Sequence, residues 1–328
     1  MSVLTDRFGR EHHDLRISLT DRCSLRCTYC MPADGVPWLA RSTMLSTEEI
    51  IRVARVGVEH GITGIRLTGG EPLLRVDVVD VVSRLTALDE APEVSLTTNA
   101  LRLPALAAPL RDAGLARVNI SLDTLDRARF QQLTRRDRLV ETIAGIAAAE
   151  AAGLSPIKIN AVAMRGVNDD EVVALTRFAV ERGYQMRFIE QMPLDGGHTW
   201  DRVQMVTQAE ILERLSAEFT LTEVASRGPA PAELWYVDGG PATVGIIASV
   251  TAPFCGSCDR LRLTADGQLR ACLFSEAEVD TRQILREGGT DDDLADAYRR
   301  CLAGKKAGHG IGEPGFHQPD RPMSAIGG

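Results

Sequence analysis

Asp14-Leu-Arg-Ile-Ser-Leu-Thr-Asp-Arg-Cys23-Ser-Leu-Arg-Cys27-Thr-Tyr-Cys30-Met-Pro32 joins a strand pattern to a cysteine loop. Leu15, Ile17 and Leu19 alternate onto one face, which predicts a strand over 14–20 that delivers the loop from its C-terminal end. Three thiols follow at the spacing C-x3-C-x2-C, with Tyr29 directly before the last. Thiolates this close in sequence can wrap one face of a cubane iron–sulfur cluster, but they fall one short of the four that an electron-transfer cluster uses. One iron is then left for a small molecule, as a catalytic zinc site keeps one position free. A zinc knuckle or unrelated buried thiols are the alternatives for so short a motif.

Outward from this stretch, strand and helix patterns alternate. Ser46-Thr-Glu-Glu49 is a capping box that opens a helix with Ile50, Val53, Ala54 and Val58 on its apolar face, closed by Gly61. Further strands are predicted over 62–68, 94–98, 117–123, 157–164 and 185–190, and helices over 76–88, 104–113, 126–133, 139–152 and 168–183. Consecutive strand–helix units imply parallel strands with right-handed crossovers. Six units fall short of the eight of a full barrel. The fold expected is therefore α/β: an incomplete (β/α)6 three-quarter TIM-like barrel at 1–190, with a C-terminal module at 191–328 closing the open side. A doubly wound open sheet is the alternative. In the module a helix over 207–216, short strands over 234–237 and 242–247, and a helix over 291–302 are expected.

The totals are those of a folded enzyme-sized chain. Of 328 residues 44% are hydrophobic and 25% charged, enough for a substantial core, and with aromatics at only 5% that core is aliphatic. The net charge of −8 argues against non-specific nucleic-acid binding and acidic membranes. The N-terminus has no apolar leader pattern, and no stretch reaches the roughly 18 apolar residues of a membrane span. A cytoplasmic location is expected, where seven cysteines grouped mostly in two triads point to metal sites rather than disulfides.

In such a barrel, residues at the C-terminal strand ends share one mouth. That rule gathers the cysteine loop, Gly69-Gly-Glu-Pro72, Thr97-Thr-Asn99, Ser121-Leu-Asp123, Glu190 and Met192. Gly69 and Gly70 let a backbone edge approach a ligand, although a plain β-turn would read the same way. The second triad, Cys255, Cys258 and Cys272, repeats the three-thiol logic, so a second [4Fe-4S] cluster with its own open iron is expected. Zinc would need a fourth ligand from His, Asp or Cys301, which otherwise reads as a structural thiol. Arg16, Arg66, Lys158, Arg260 and Arg262 would make a cationic cavity for a polyphosphate in a chain without a Walker-type loop. The terminal Gly327-Gly328 reads either as a frayed end or as a segment small enough to thread into a narrow site.

These motifs resemble those of the radical S-adenosylmethionine enzymes and, among them, the GTP 3′,8-cyclase family, which opens molybdenum cofactor biosynthesis. The resemblance runs from about Asp6 to the terminus. It rests on Leu15-Arg-Ile-Ser-Leu-Thr-Asp-Arg-Cys23, Cys27-Thr-Tyr-Cys-Met-Pro32, Ile65-Arg-Leu-Thr-Gly-Gly-Glu-Pro-Leu73, Arg187-Phe-Ile-Glu-Gln-Met-Pro193, Phe254-Cys-Gly-Ser-Cys-Asp-Arg-Leu-Arg262, Cys272-Leu-Phe274 and the Gly-Gly end.

It implies that Cys23, Cys27 and Cys30 hold the cluster that reductively cleaves S-adenosylmethionine, with Tyr29, Gly70, Ser121 and Met192 contacting that cosubstrate. Arg16, Arg66, Thr97, Lys158, Arg260, Leu261 and Arg262 would bind GTP. Cys255, Cys258 and Cys272 would hold a second cluster facing the purine, and Gly327 and Gly328 would reach into the site. Also implied are (8S)-3′,8-cyclo-7,8-dihydroguanosine 5′-triphosphate as product, a flavodoxin- or ferredoxin-type reductant, cyclic pyranopterin monophosphate synthase as acceptor, and a homodimer as one assembly state. Two positions depart from the family pattern: Ser24, where Asn is common, and Gly64, where a lysine often stands. The rival readings are a radical enzyme with another substrate and a non-enzymatic metal or electron-carrier protein.

Overall fold

The computed structural model describes residues 3–225 and 227–327. Six parallel strands, β1 (Asp14–Ser18), β2 (Gly64–Thr68), β3 (Glu93–Thr98), β4 (Arg117–Ser121), β5 (Ile157–Ala163) and β6 (Gln185–Glu190), lie side by side in sequence order. Between them run α1 (Thr47–Val58), α2 (Val78–Thr86), α3 (Leu103–Asp112), α4 (Arg127–Thr134), α5 (Leu139–Ala151) and α6 (Val172–Glu181). The capping box forms: Glu49 N–H donates to Ser46 Oγ at 3.2 Å, and Ser46 N–H to Glu49 Oε2 at 2.7 Å.

Side-chain alternation sorts the two faces of the sheet. Leu15, Ile17, Ile65, Leu67, Ile159 and Ala161 are buried in the continuous aliphatic core with Val53, Val82 and Ala149 of the helices. The intervening positions on the same strands carry Arg16, Ser18, Arg66, Thr68, Lys158 and Asn160, so the inner face is polar.

The remainder of the chain adds α7 (Gln208–Ser216), β7 (Leu221–Glu223), β8 (Glu233–Val237), β9 (Thr243–Ile247), β10 (Arg260–Leu263), β11 (Gln268–Arg270), β12 (Val279–Asp280), α8 (Thr281–Arg286), α9 (Asp291–Ala303) and the short α10 (Met323–Ile326). The sheet order is β12-β11-β10-β1-β2-β3-β4-β5-β6-β9-β8-β7. Here the structure refines the sequence reading. The C-terminal segment does not only cover one gap: it supplies β9, parallel to β6, and β10, parallel to β1, so that both edges of the six-strand barrel are extended. An unpaired strand edge is a row of free N–H and C=O groups, and these two strands satisfy both rows.

One sheet therefore runs through residues on both sides of position 190. The end of β6 is fastened to the later segment by Glu190, fully buried, whose carboxylate accepts from Gln208, Val250 and Thr251 N–H groups, each at 2.9 Å. Among the described residues no helix is long and apolar enough to cross a membrane.

Candidate active site

β1 ends at Ser18, and the chain turns at the C-terminal edge of the sheet into the first cysteine loop. Cys23, Cys27 and Cys30 line a cavity of about 210 Å³ together with Gly69, Gly70, Glu71, Thr97, Asn99, Ser121, Asp123, Met192, Met323 and Ser324. The end of α4 braces the loop. Arg26 and Thr28 N–H groups donate to Thr134 and Leu133 carbonyls at 2.9 Å, and Arg135 Nη1 donates to the carbonyls of Arg26 and Met31 at 2.9 and 3.0 Å. Burial pushes the free thiols up, Cys23 to about 11 and Cys30 to about 12, so a metal must displace their protons to bind. Among the described residues no three His, Cys, Asp or Glu side chains converge on a single-ion site. The three thiols instead share one cavity wall, which suits a cluster in which each thiolate takes its own iron.

Gly-Gly-Glu-Pro is packed directly on this loop, which is more than a turn requires. Gly70 N–H donates to Thr20 O and Glu71 N–H to Arg22 O, both at 2.8 Å. A Cβ on Gly70 would stand 2.4 Å from the carbonyl oxygens of Asp21 and Arg22. Glu71, which the sequence did not single out as functional, is the bracket. Its buried carboxylate accepts from Leu73 N–H at 3.0 Å, Thr98 Oγ1 at 2.7 Å and Asn99 N–H at 2.8 Å. Burial raises this carboxyl to about 7 in spite of those bonds. Tyr29 Oη donates to Asp123 Oδ2, and Val162 N–H to Asp123 Oδ1, each at 2.8 Å, while burial lifts Asp123 to about 6. Tyr29, Gly70, Ser121 and Met192 thus meet around one cavity, with Thr97 among them.

Below this mouth, strand register assembles a belt of cations. Arg16 pairs with Arg66 on one side and Arg262 on the other. Arg66 pairs with Ser95, and Ser95 with Arg117. Lys158 stands opposite Asn119 and Gln185, and Arg187 opposite Asn160 and Gly245. Asp14 is one counter-charge, 3.7 Å from Arg16 Nε and 3.9 Å from Arg66 Nη2, and Glu93, which pairs with Arg117, is another. Arg16 Nε and Arg117 Nε are buried without a hydrogen-bond partner. Buried donors in this condition suit an anionic ligand. Neither Arg117 nor Arg187 is marked as a phosphate-side cation by its sequence context; strand register alone puts them in the belt. Leu261 turns the other way, its side chain buried in the hydrophobic layer, which leaves only its main chain facing the belt's strand. At Gly64 a Cβ would meet only His13 O, at 3.8 Å, so nothing in the packing demands glycine there.

The second triad lies at the opposite end of the barrel from that mouth. β10 runs parallel to β1, so Cys255 and Cys258, which precede it, sit at the N-terminal edge; antiparallel β11 returns the chain to that edge at Cys272. The three thiols line a separate cavity of about 180 Å³ with Arg10, Phe274, Lys305 and His309. His309 is no fourth ligand: Nε2 is 2.7 Å from Ser249 O and Nδ1 accepts from Ile311 N–H at 3.1 Å. Cys301 is packed in the hydrophobic core on α9.

The tail runs from the first cavity to the cationic belt. α10 places Met323 and Ser324 in the first cavity, on the wall shared with Cys30. Gly327 follows with φ +87°, and its carbonyl accepts from Arg262 Nη1. A Cβ there would lie 2.7 Å from Thr68 Oγ1 and 2.9 Å from Ser18 Cβ. Gly328 lies outside the described residues.

Residues 17–179 match the Radical SAM superfamily model and residues 184–311 the Molybdenum Cofactor Synthesis C model. A GTP 3′,8-cyclase of Streptomyces coelicolor is 55% identical over 329 residues, covering 99% of this chain and 96% of that protein. A GTP 3′,8-cyclase 2 of Mycobacterium tuberculosis is 53% identical over 331 residues, covering 99% and 92%. Among solved structures, Streptococcus suis SuiB bound to S-adenosylmethionine shares the fold with a TM-score of 0.62 at 16% identity, covering 88% of this chain and 68% of that one. With more than half its residues identical to such relatives along nearly its full length, the chain belongs to the GTP 3′,8-cyclase family of radical S-adenosylmethionine enzymes.

Proposed function

We propose that the chain converts GTP to (8S)-3′,8-cyclo-7,8-dihydroguanosine 5′-triphosphate, the first step of molybdenum cofactor biosynthesis, inside a barrel that carries a [4Fe-4S] cluster at each end. The observation that carries this reading is that the two cysteine triads open from opposite barrel ends with one cationic belt between them. A substrate held by its triphosphate in that belt would have its ribose toward one triad and its base toward the other.

In this reading Cys23, Cys27 and Cys30 hold the first cluster, and Tyr29, Gly70, Ser121 and Met192 receive S-adenosylmethionine beside it. The bound pair supplies one-electron chemistry that removes a hydrogen atom from the ribose. The protein's own part is positioning. Gly70 gives the cosubstrate a backbone edge at the wall of the cavity, and the Tyr29–Asp123 bond holds that wall in place. Arg16, Arg66, Thr97, Lys158, Arg260, Arg262 and the main chain of Leu261 anchor GTP, joined by Arg117 and Arg187, which share the belt. Fixing a substrate in this way is worth much of the barrier in a reaction that forms one particular bond. Cys255, Cys258 and Cys272 hold the second cluster at the other end, and Gly327 closes the chamber against Arg262.

The division at 190/191 then separates the part that generates the radical from the part that completes the substrate chamber. A flavodoxin- or ferredoxin-type donor supplies the electron, cyclic pyranopterin monophosphate synthase takes the product, and a reducing, cytoplasmic setting suits seven cysteines that are all free.

The test is anaerobic. The chain is reconstituted with iron and sulfide, reduced with dithionite, and incubated with S-adenosylmethionine with and without GTP, and 5′-deoxyadenosine and nucleotide products are followed by mass spectrometry. Deoxyadenosine together with a cyclised GTP product is the expected result. Cosubstrate cleavage with GTP untouched would move the assignment to another substrate.

A further inference from the structure

Lys305, the residue after the Gly304 cap of α9, lines the second triad's cavity and has no part in the proposed reaction. It is only 4% exposed. Its Nζ donates to Arg260 O at 2.7 Å and reaches Cys258 Sγ at 3.7 Å. Among the described residues no carboxylate lies within ion-pair distance of it; Asp259, on the same loop, is turned to Arg260 at 3.8 Å. A buried ammonium facing one carbonyl and one sulfur is an uncompensated charge, and buried charges are paired or they are costly. The anion it faces must sit in the triad's cavity. Arg10 also borders the cavity, its Nη1 donating to Cys255 O at 2.6 Å, but its charge is already paired with Asp6 at 2.6 Å, which leaves Lys305 as the cation without a carboxylate partner beside the three thiols.

We propose that Lys305 is the charge-compensating cation of the second triad, donating toward Cys258 Sγ and thereby raising the reduction potential of the cluster held there. This rests on reading Cys255, Cys258 and Cys272 as cluster ligands. The physical reason is that an N–H aimed at a cluster sulfur stabilises the more negatively charged reduced form more than the oxidised form.

To isolate that cluster, Cys23, Cys27 and Cys30 are all replaced by Ala, and the full-length chain is reconstituted anaerobically. Iron, sulfide and zinc are counted per chain, and the midpoint potential is measured by mediated titration followed by electron paramagnetic resonance. K305M and K305Q are expected to lower the reduced-to-oxidised ratio at fixed potential at least tenfold, a shift of about 59 mV for one electron. K305R is expected to stay nearer the parent. Should K305M and K305Q lose iron while K305R keeps it, the requirement for charge at this position is supported by loading instead.

Fully loaded neutral variants with an unmoved midpoint overturn the proposal. So does an unmoved midpoint with weakened GTP binding in the otherwise native chain, which would make Lys305 a phosphate ligand. A parent that holds one zinc and no iron–sulfur cluster overturns the cluster reading itself, before any Lys305 variant is compared.

Discussion

Arg262 Nη1 donates to the carbonyl oxygen of Gly327, so a cation of the belt holds the C-terminal tail at Gly327 inside the barrel. The same tail places Met323 and Ser324 in the cavity lined by Cys23, Cys27 and Cys30, so one short segment reaches both the first cysteine loop and the belt.

That placement depends on glycine. Gly327 has φ +87°, and a Cβ would press on Thr68 and Ser18. Gly327→Ala is expected to displace the tail and cut product formation by about 100-fold, the order of loss that follows a misplacement of about 1 Å. Thermal unfolding should barely move. The check pairs a product assay with a melting curve; a fall in both would make the tail a structural strap.

Gly70→Ala tests the packing of Gly-Gly-Glu-Pro on the cysteine loop. The added methyl would be driven into two backbone carbonyls, which cannot rotate away as a side chain can. A cost of about 1–3 kcal/mol is expected, with selective loss of the first cluster and retention of the second. Iron counting against a variant lacking Cys255, Cys258 and Cys272 separates the two.

Lys158 is expected to make nucleotide binding sensitive to pH. Burial, and then Arg187 and Arg117 nearby, bring its ammonium down to about 7 in the free protein. A bound triphosphate favours the charged form and raises that value. Binding therefore takes up a proton above pH 7, and affinity falls as pH rises from 7 toward 9, by up to about tenfold per unit. Calorimetry in buffers of different ionisation enthalpy would detect the uptake. Lys158→Met should bind more weakly and lose the pH slope.

His12 makes the fold itself sensitive to acid. It is fully buried, neither ring nitrogen has a hydrogen-bond partner, and burial followed by Lys305 holds its pKa near 4. The unfolded chain accepts a proton near pH 6.5 that the folded chain refuses. Stability is therefore present above 6.5 and drains as pH falls toward 4, by about 3 kcal/mol in all. Urea unfolding at pH 7 and pH 5 measures the loss, and His12→Phe should reduce its dependence on pH.

Much of the molecule was legible from its order of residues alone. Apolar alternation in Leu15, Ile17 and Leu19, and its recurrence in five later segments, marked every barrel strand, because a period of two is a local property of the chain. The cysteine loops and Gly69-Gly-Glu-Pro72 were equally local, since their chemistry needs residues only a few positions apart. Glu71 and Asp123 were visible within motifs, but their roles as buried brackets depend on strands that fold beside them.

What only the tertiary structure decided concerns direction and register. Arg260-Leu-Arg-Leu263 carries as much charge as apolar surface and reads as a loop until it pairs with β1. That pairing sets Arg262 beside Arg16 and sends the second triad to the far end of the barrel, while the register of β4 on β3 brings Arg117 into a belt that no sequence spacing announced. The thiols and the alternating pattern determined which chemistry and which strands this protein has. The hydrogen-bonded edges of β1 and β6, open to any strand that could satisfy them, determined where the later residues stand, because pairing between distant segments is settled by the whole sheet rather than by either segment.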